Sequence, residues 1–272
     1  MPRSCGVSNG FAGIWCTCER SGDQLVFRRT ADVDMDVNSE EVSFMEYVIR
    51  PAATKTLAVA GTQARFPVQN IYCVGRNYAD HALEMGHDPD REPPFFFMKP
   101  AYGILPDQGV MTYPALSTDV HHEVELVVAL ATGGQNITVE SAMDCVYGYG
   151  VGIDMTRRDL QAQAKLQGRP WEAGKSFLHA APCSALAPIE QTGIVDRGSI
   201  WLDINGERRQ AGDLQQMIWK VPEVISRLST LFVLQPGDLI YTGTPAGVGP
   251  VVRGDLIRAH IEGIGELQIS VA

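Results

Sequence analysis

The chain is poor in positive charge and has no long apolar run. It carries 22 Lys and Arg against 32 Asp and Glu, a formal net charge of -10. Nothing in that balance favours nucleic acid or an anionic membrane as a partner. A small anionic substrate remains compatible, because it needs only a local cluster of cations. No apolar stretch approaches the roughly 20 residues of a spanning helix. The N-terminus has Arg3 but no apolar core of a secretory leader. The fingerprint GxGxxG is absent, and strand and helix patterns do not alternate regularly, which argues against a dinucleotide fold. Internal repeats and low-complexity tracts are absent too. The six cysteines, Cys5, Cys16, Cys18, Cys73, Cys145 and Cys183, lack paired zinc spacing. A chain of 272 residues builds its core without disulfides, so the cysteines read as reduced thiols in a cytoplasmic setting.

What is present is an ordinary globular composition, 45% hydrophobic and 20% charged. Residues 1–46 stand apart as an extension of unknown role, with half of the cysteines, the acidic run ADVDMDVNSEE and at most a few weak strands. Met45, near its end, is an alternative start. Residues 47–272 read as the main domain. NIYCVGRNYADHALEMG (70–86) begins as an apolar strand and turns helical near Tyr78. HHEVELVVAL (121–130) reads as one strand. YGYGVGIDM (147–155) is a glycine-rich strand suited to close backbone approach. TRRDLQAQAKLQG (156–168) reads as a helix capped by Thr156 and ended by Gly168. A short helix at 139–146, a strand at 199–205, a helix near 221–233 and strands near 238–242, 256–261 and 266–271 follow. Many short strands and few helices predict an α+β, β-rich fold.

Two positions apart on a strand, Glu123 and Glu125 share a face with Cα atoms about 7 Å apart. Their charges then repel by roughly 2.4 kcal/mol at an effective dielectric of about 20, and burial adds to that cost. A raised pKa or a divalent cation relieves it; an edge strand with a solvated glutamate face avoids it. Asp154, at the end of the glycine-rich strand, is a third carboxylate. Three carboxylates form a hard oxygen set that favours Mg²⁺, Mn²⁺ or Ca²⁺ over zinc. His121 shares the glutamate face, where it would tip the site toward a softer metal; it reads rather as a group behind the ligands or on the substrate side. His81 and Glu84 lie at i and i+3, where a carboxylate can orient an imidazole as a general base; a surface His–Glu pair has the same spacing.

In this order, CVGRNYADHALEMG, PPFFFMKPA, HHEVELVVAL, GYGVGIDMTRRDLQ, GRPWEAGKSF, LDINGERRQAGDLQQMIW and LQPGDLIYTGTPAGVGPV resemble the fumarylacetoacetate hydrolase family from about residue 47 to the C-terminus. The resemblance implies a mixed β-sheet roll, usually a homodimer. It implies that Glu123, Glu125 and Asp154 bind Mg²⁺ or Mn²⁺, that His81 and Glu84 activate water, and that Lys175 sits by developing negative charge. It places Arg158, Gln161, Thr244 and Arg76 on the substrate, Arg76 or Arg158 as the partner of a distal carboxylate, with Lys99 as a further cation nearby. The implied activity is hydrolysis of a carbon–carbon bond in a 2,4-diketo acid, fumarylpyruvate first, with other acylpyruvates or oxaloacetate decarboxylation as alternatives. A non-catalytic metal-binding module is the remote one.

Overall fold

The computed structural model describes residues 16–21, 24–29, 47–79 and 93–272. Two compact units divide the chain, Met1–Pro51 and Ala52–Ala272. In the first, Cys16–Ser21 and Gln24–Arg29 pair as an antiparallel hairpin.

The second unit is built on a mixed eight-stranded sheet. At its centre, Val124–Leu130 runs antiparallel to Val146–Ile153 on one side and to Leu239–Tyr241 on the other. Leu239–Tyr241 runs parallel to Ile71–Gly75, which pairs antiparallel with Phe95–Lys99. The glycines of Val146–Ile153 permit the close approach their spacing predicts: a Cβ on Gly148 would lie 2.3 Å from the Ala187 carbonyl oxygen.

Both faces of this sheet are covered. Val124, Leu126 and Val128 pack with Ile200, Leu202, Ile257 and Leu267 of a five-stranded sheet, and with Ile225 and Leu228 of the helix Val221–Ser229. On the other face, Val127 and Ala129 pack with Leu57, Phe66, Ile71 and Tyr241. The five-stranded sheet keeps one polar face, so Ser199–Ile204 alternates buried and part-exposed positions. Its hairpin turns at Asn205 and Gly206, both at positive φ (53° and 85°), as the NGE turn predicts.

Three local expectations are corrected. HHEVELVVAL is not one strand: Val120–His122 pairs with Thr156–Arg157 and Gly249–Val251, and the chain leaves that small sheet at Glu123 to enter the large one at Val124. It is also no solvated edge, because every residue of Val124–Leu130 is buried between paired neighbours. The helix after Asp154 starts at Arg158 and carries no side-chain cap. Thr156 is held in the small sheet instead, and Asp159 anchors the first turn by accepting from Ser117 Oγ (2.7 Å), Thr118 N (3.0 Å) and Leu160 N (2.8 Å). Gly168, at φ +61°, closes the helix's far end as expected.

Candidate active site

The break at Glu123 sets the geometry. The Asp154 N–H donates to the Glu123 carbonyl at 2.8 Å, tying the end of the glycine-rich strand to the point where the glutamate strand changes sheets. Glu123, Glu125 and Asp154 are all buried, and each offers one oxygen within 4.8 Å of the others. Two lysines brace them. Lys175 Nζ donates to Glu123 Oε2 (2.8 Å), Asp154 Oδ2 (2.7 Å) and Thr156 Oγ1 (2.6 Å). Lys99 Nζ lies 2.7 Å from Asp154 Oδ1 and donates to the carbonyls of Met155 and Lys175 at 2.9 and 2.6 Å.

Glu125 is treated differently. Its Oε2 accepts the Gly243 N–H at 2.8 Å, and Gly243 adopts φ +97° to offer it, with a virtual Cβ only 2.7 Å from Asn77 Cβ. Burial, followed by the Asp154 and Glu123 charges, holds the Glu125 carboxyl well above the usual carboxylate range. Burial alone would lower Lys175, but Asp154 and Glu123 outweigh it and hold the ammonium above its ordinary value. A hard divalent cation fits this set, because its charge removes the mutual repulsion that Glu125 otherwise feels.

A pocket opens over the carboxylates, lined among others by Arg76, Phe95, Phe97, Arg158, Gln161, Lys165, Trp171 and Thr244. Arg158 donates to Glu123 Oε1 at 2.5 Å and to Gln161 Oε1 at 2.7 Å. A guanidinium only donates, so Gln161 presents its carbonyl to Arg158 and keeps its amide hydrogens for other acceptors. Thr244 Oγ1 accepts from Gln210 Nε2 at 2.8 Å. Gln210 in turn accepts from the Val124 N–H at 3.0 Å and from His122 Nδ1 at 2.9 Å. Burial holds His122 down to about 4, neutral and fit to donate there.

The structure thus brings together Glu123, Glu125, Asp154, Lys175, Arg158, Gln161, Thr244 and Arg76 around one pocket. His81 and Glu84 lie outside the described residues. His121 is not drawn in: the strand break sends it to Asp119 Oδ1 at 2.8 Å, and it does not line the pocket. Lys175 lines the pocket as expected of a site residue, with its three N–H donors engaged by Glu123, Asp154 and Thr156. Sequence reasoning underrated Lys99 and missed Gln210, Lys165 and the aromatic wall. A period-two reading of FFFMK would have found part of this, because it puts Phe95, Phe97 and Lys99 on one face. Gln210 gives no such signal; its partners are brought in by tertiary pairing.

Comparison with known proteins identifies the family. The family model described as Fumarylacetoacetate (FAA) hydrolase C-terminal matches residues 70–272. A fumarylpyruvate hydrolase from Ralstonia sp is 42% identical over 189 residues, 69% of this chain and 98% of that protein. A mitochondrial oxaloacetate tautomerase from Mus musculus is 43% identical over 203 residues, 75% of this chain and 91% of that protein. The crystal structure of fumarylpyruvate hydrolase from Pseudomonas aeruginosa, in complex with Mn²⁺ and pyruvate, superposes with a TM-score of 0.82 at 48% identity, covering 84% of this chain and 99% of that one.

Proposed function

The chain belongs to the fumarylacetoacetate hydrolase family, and on that premise we propose that it is a metal-dependent hydrolase cleaving the bond between carbons 3 and 4 of a 2,4-diketo acid, fumarylpyruvate giving fumarate and pyruvate. The observation that carries this reading is the buried set Glu123, Glu125 and Asp154 beneath a pocket lined with cations. These three carboxylates would hold Mg²⁺ or Mn²⁺, which would supply Lewis acidity toward the 2-oxo acid end of the substrate.

The residues of the chain divide the remaining work. Lys175 and Lys99 fix the carboxylates. His81, oriented by Glu84, takes a proton from water, and the hydroxide adds to carbon 4. The oxyanion so formed is met by the amide hydrogens of Gln161, which Arg158 turns toward the pocket. The carbon 3–carbon 4 bond breaks with its electron pair going to carbon 3, and the proton held by His81 returns there to give pyruvate. Thr244 holds the substrate carboxylate; among the described residues, its hydroxyl donates only to the Pro245 carbonyl, at 3.4 Å. A cytoplasmic homodimer completes the proposal.

The likeness to an oxaloacetate tautomerase favours a second reading, chemistry on oxaloacetate, which shares the 2-oxo acid end but needs no attacking water. Spectrophotometric assays on fumarylpyruvate, acetylpyruvate and oxaloacetate, with Mg²⁺, with Mn²⁺ and with chelator, separate the two. Metal-dependent loss of fumarylpyruvate absorbance, far faster than turnover of the others, supports the hydrolase. Turnover of oxaloacetate alone moves the chain to the second reading and leaves His81 and Glu84 without their assigned step.

A further inference from the structure

The pocket wall is aromatic, and cations are ranked along it. Phe97 and Trp171 have ring centroids 6.0 Å apart, and Trp171 meets Phe95 edge-on at 5.3 Å. Lys175 Nζ lies 4.9 Å from the Phe97 centroid, Lys165 Nζ 4.9 Å from that of Trp171, and the Arg76 guanidinium 5.4 Å from that of Phe95. The inner cation, Lys175, is saturated by carboxylates. Among the described residues, neither of the outer two forms an ion pair. Arg158, the fourth cation at the pocket, is committed to Glu123 and Gln161.

Both outer cations are held in place at a cost. Arg76 sits at φ +58°. The turn that carries it is locked by Asn77, whose side chain donates to the Trp219 and Thr242 carbonyls (2.9 and 2.8 Å) and accepts from the Trp219 N–H (2.7 Å). Gly75 clears the space for Phe95: a Cβ there would fall 2.1 Å from the Phe95 ring. Burial first, then Arg158, Arg76 and Lys175, pushes the Lys165 ammonium below its ordinary pKa. A half-buried lysine among like charges is a site waiting for an anion.

We propose that Lys165 and Arg76 form a distal anion subsite that binds a second carboxylate of the substrate, across a flat aromatic wall suited to a planar unsaturated spacer. This subsite selects dianionic over monoanionic diketo acids, and Lys165 is its specificity-determining residue. For its substrate the inference rests on the hydrolase reading above.

The test compares wild type, Lys165→Met and Lys165→Arg on fumarylpyruvate, a dianion, and acetylpyruvate, which lacks the distal carboxylate. Losing one charge-assisted hydrogen bond raises KM for fumarylpyruvate roughly 10- to 100-fold in Lys165→Met. KM for acetylpyruvate then changes less than about threefold, and Lys165→Arg restores most of the loss. Equal losses on both substrates, or no loss on either, overturn the subsite. If the wild type hydrolyses neither, the hydrolase reading has failed, and the subsite is judged by calorimetry with fumarate in the presence of chelator. Fumarate binding that disappears in Lys165→Met supports it. Binding that is undetectable in wild type, or equal in both proteins, overturns it.

Discussion

Two strands that pack across one core treat acidic residues in opposite ways. Ser199–Ile204 alternates, with Ile200, Leu202 and Ile204 inside. Its Asp203 lies on the polar face, paired with Arg208 across the hairpin. Val124–Leu130 has no polar face, and Glu125 is 2% exposed. An acid on the first strand follows from the pattern of any half-buried strand. An acid on the second opposes the environment, and the molecule answers with the Gly243 N–H and the buried Lys175 charge. The difference teaches where to look: charge that the local pattern accommodates is structural by default, and charge that the fold must work to hold marks chemistry.

Glu125→Gln should break that comparison most strongly. Turnover should fall by roughly a thousandfold or more, several kcal/mol of lost transition-state stabilisation, because the amide donates where a cation ligand must accept. The melting temperature of the chelated protein should hold or rise, because the substitution removes a charge that burial, Asp154 and Glu123 disfavour. Paired kinetics and thermal melts read both quantities. Wild-type turnover would remove Glu125 from the site; a collapse in stability would make it a structural residue.

Lys99→Met comes next. It removes the ion pair to Asp154 Oδ1 and leaves two buried carbonyls without their donor. Mn²⁺ affinity should weaken roughly 10- to 100-fold, as when the group behind a metal ligand is lost, and stability should fall by about 3 kcal/mol. Calorimetric titration with Mn²⁺ and denaturant melts read the two effects. Unchanged Mn²⁺ affinity would confine Lys99 to packing.

Much of the architecture was legible because strand and turn signals are local. The NGE hairpin, the glycine-rich strand and the Gly168 helix end required only neighbours in sequence. The carboxylate set was legible as residue types, but its convergence was not: it depends on the Asp154 N–H reaching the Glu123 carbonyl and on the strand breaking at Glu123. The same break made a single-strand reading of 121–130 wrong and left His121 against Asp119, outside the pocket lining. Lys99, Gln210 and Lys165 stayed obscure for a related reason. Their partners lie at least 34 residues away in the first two cases, at Asp154, Met155 and Lys175 for Lys99 and at Val124, His122 and Thr244 for Gln210, and Lys165 is defined by three other cations that only the pocket assembles.

Asp159→Ala should have a moderate effect, because it removes an anchor rather than a ligand. Three donors converge on this carboxylate, and its loss should cost about 1 to 2 kcal/mol. Burial alone would raise its pKa; the Thr118 N–H, the Ser117 hydroxyl and the Leu160 N–H outweigh that and depress it. A carboxyl depressed in the folded state contributes stability above its unfolded value, and the contribution is lost as pH falls through the folded value. The stability gap between wild type and variant should therefore be full at neutral pH and close below about pH 3.9. Denaturant melts across pH 3 to 7 measure it, and a gap independent of pH would show that helix propensity, not the carboxylate, sets the difference.

Asp203→Asn should do least, and that is its value. Asp203 is 16% exposed and Arg208 46% exposed at the side chain, so their ion pair is screened and holds little net energy. The substitution should shift stability by about 0.5 kcal/mol or less and leave turnover and Mn²⁺ affinity at wild-type values. Sodium chloride should narrow even that difference, since screening weakens an exposed pair. The same carboxylate-to-amide change is then nearly silent on one strand and disabling on the other. An Asp203→Asn variant that lost activity would mean that the polar face of the five-stranded sheet reaches the site by a route the packing does not show, and the rule drawn from the two strands would fail.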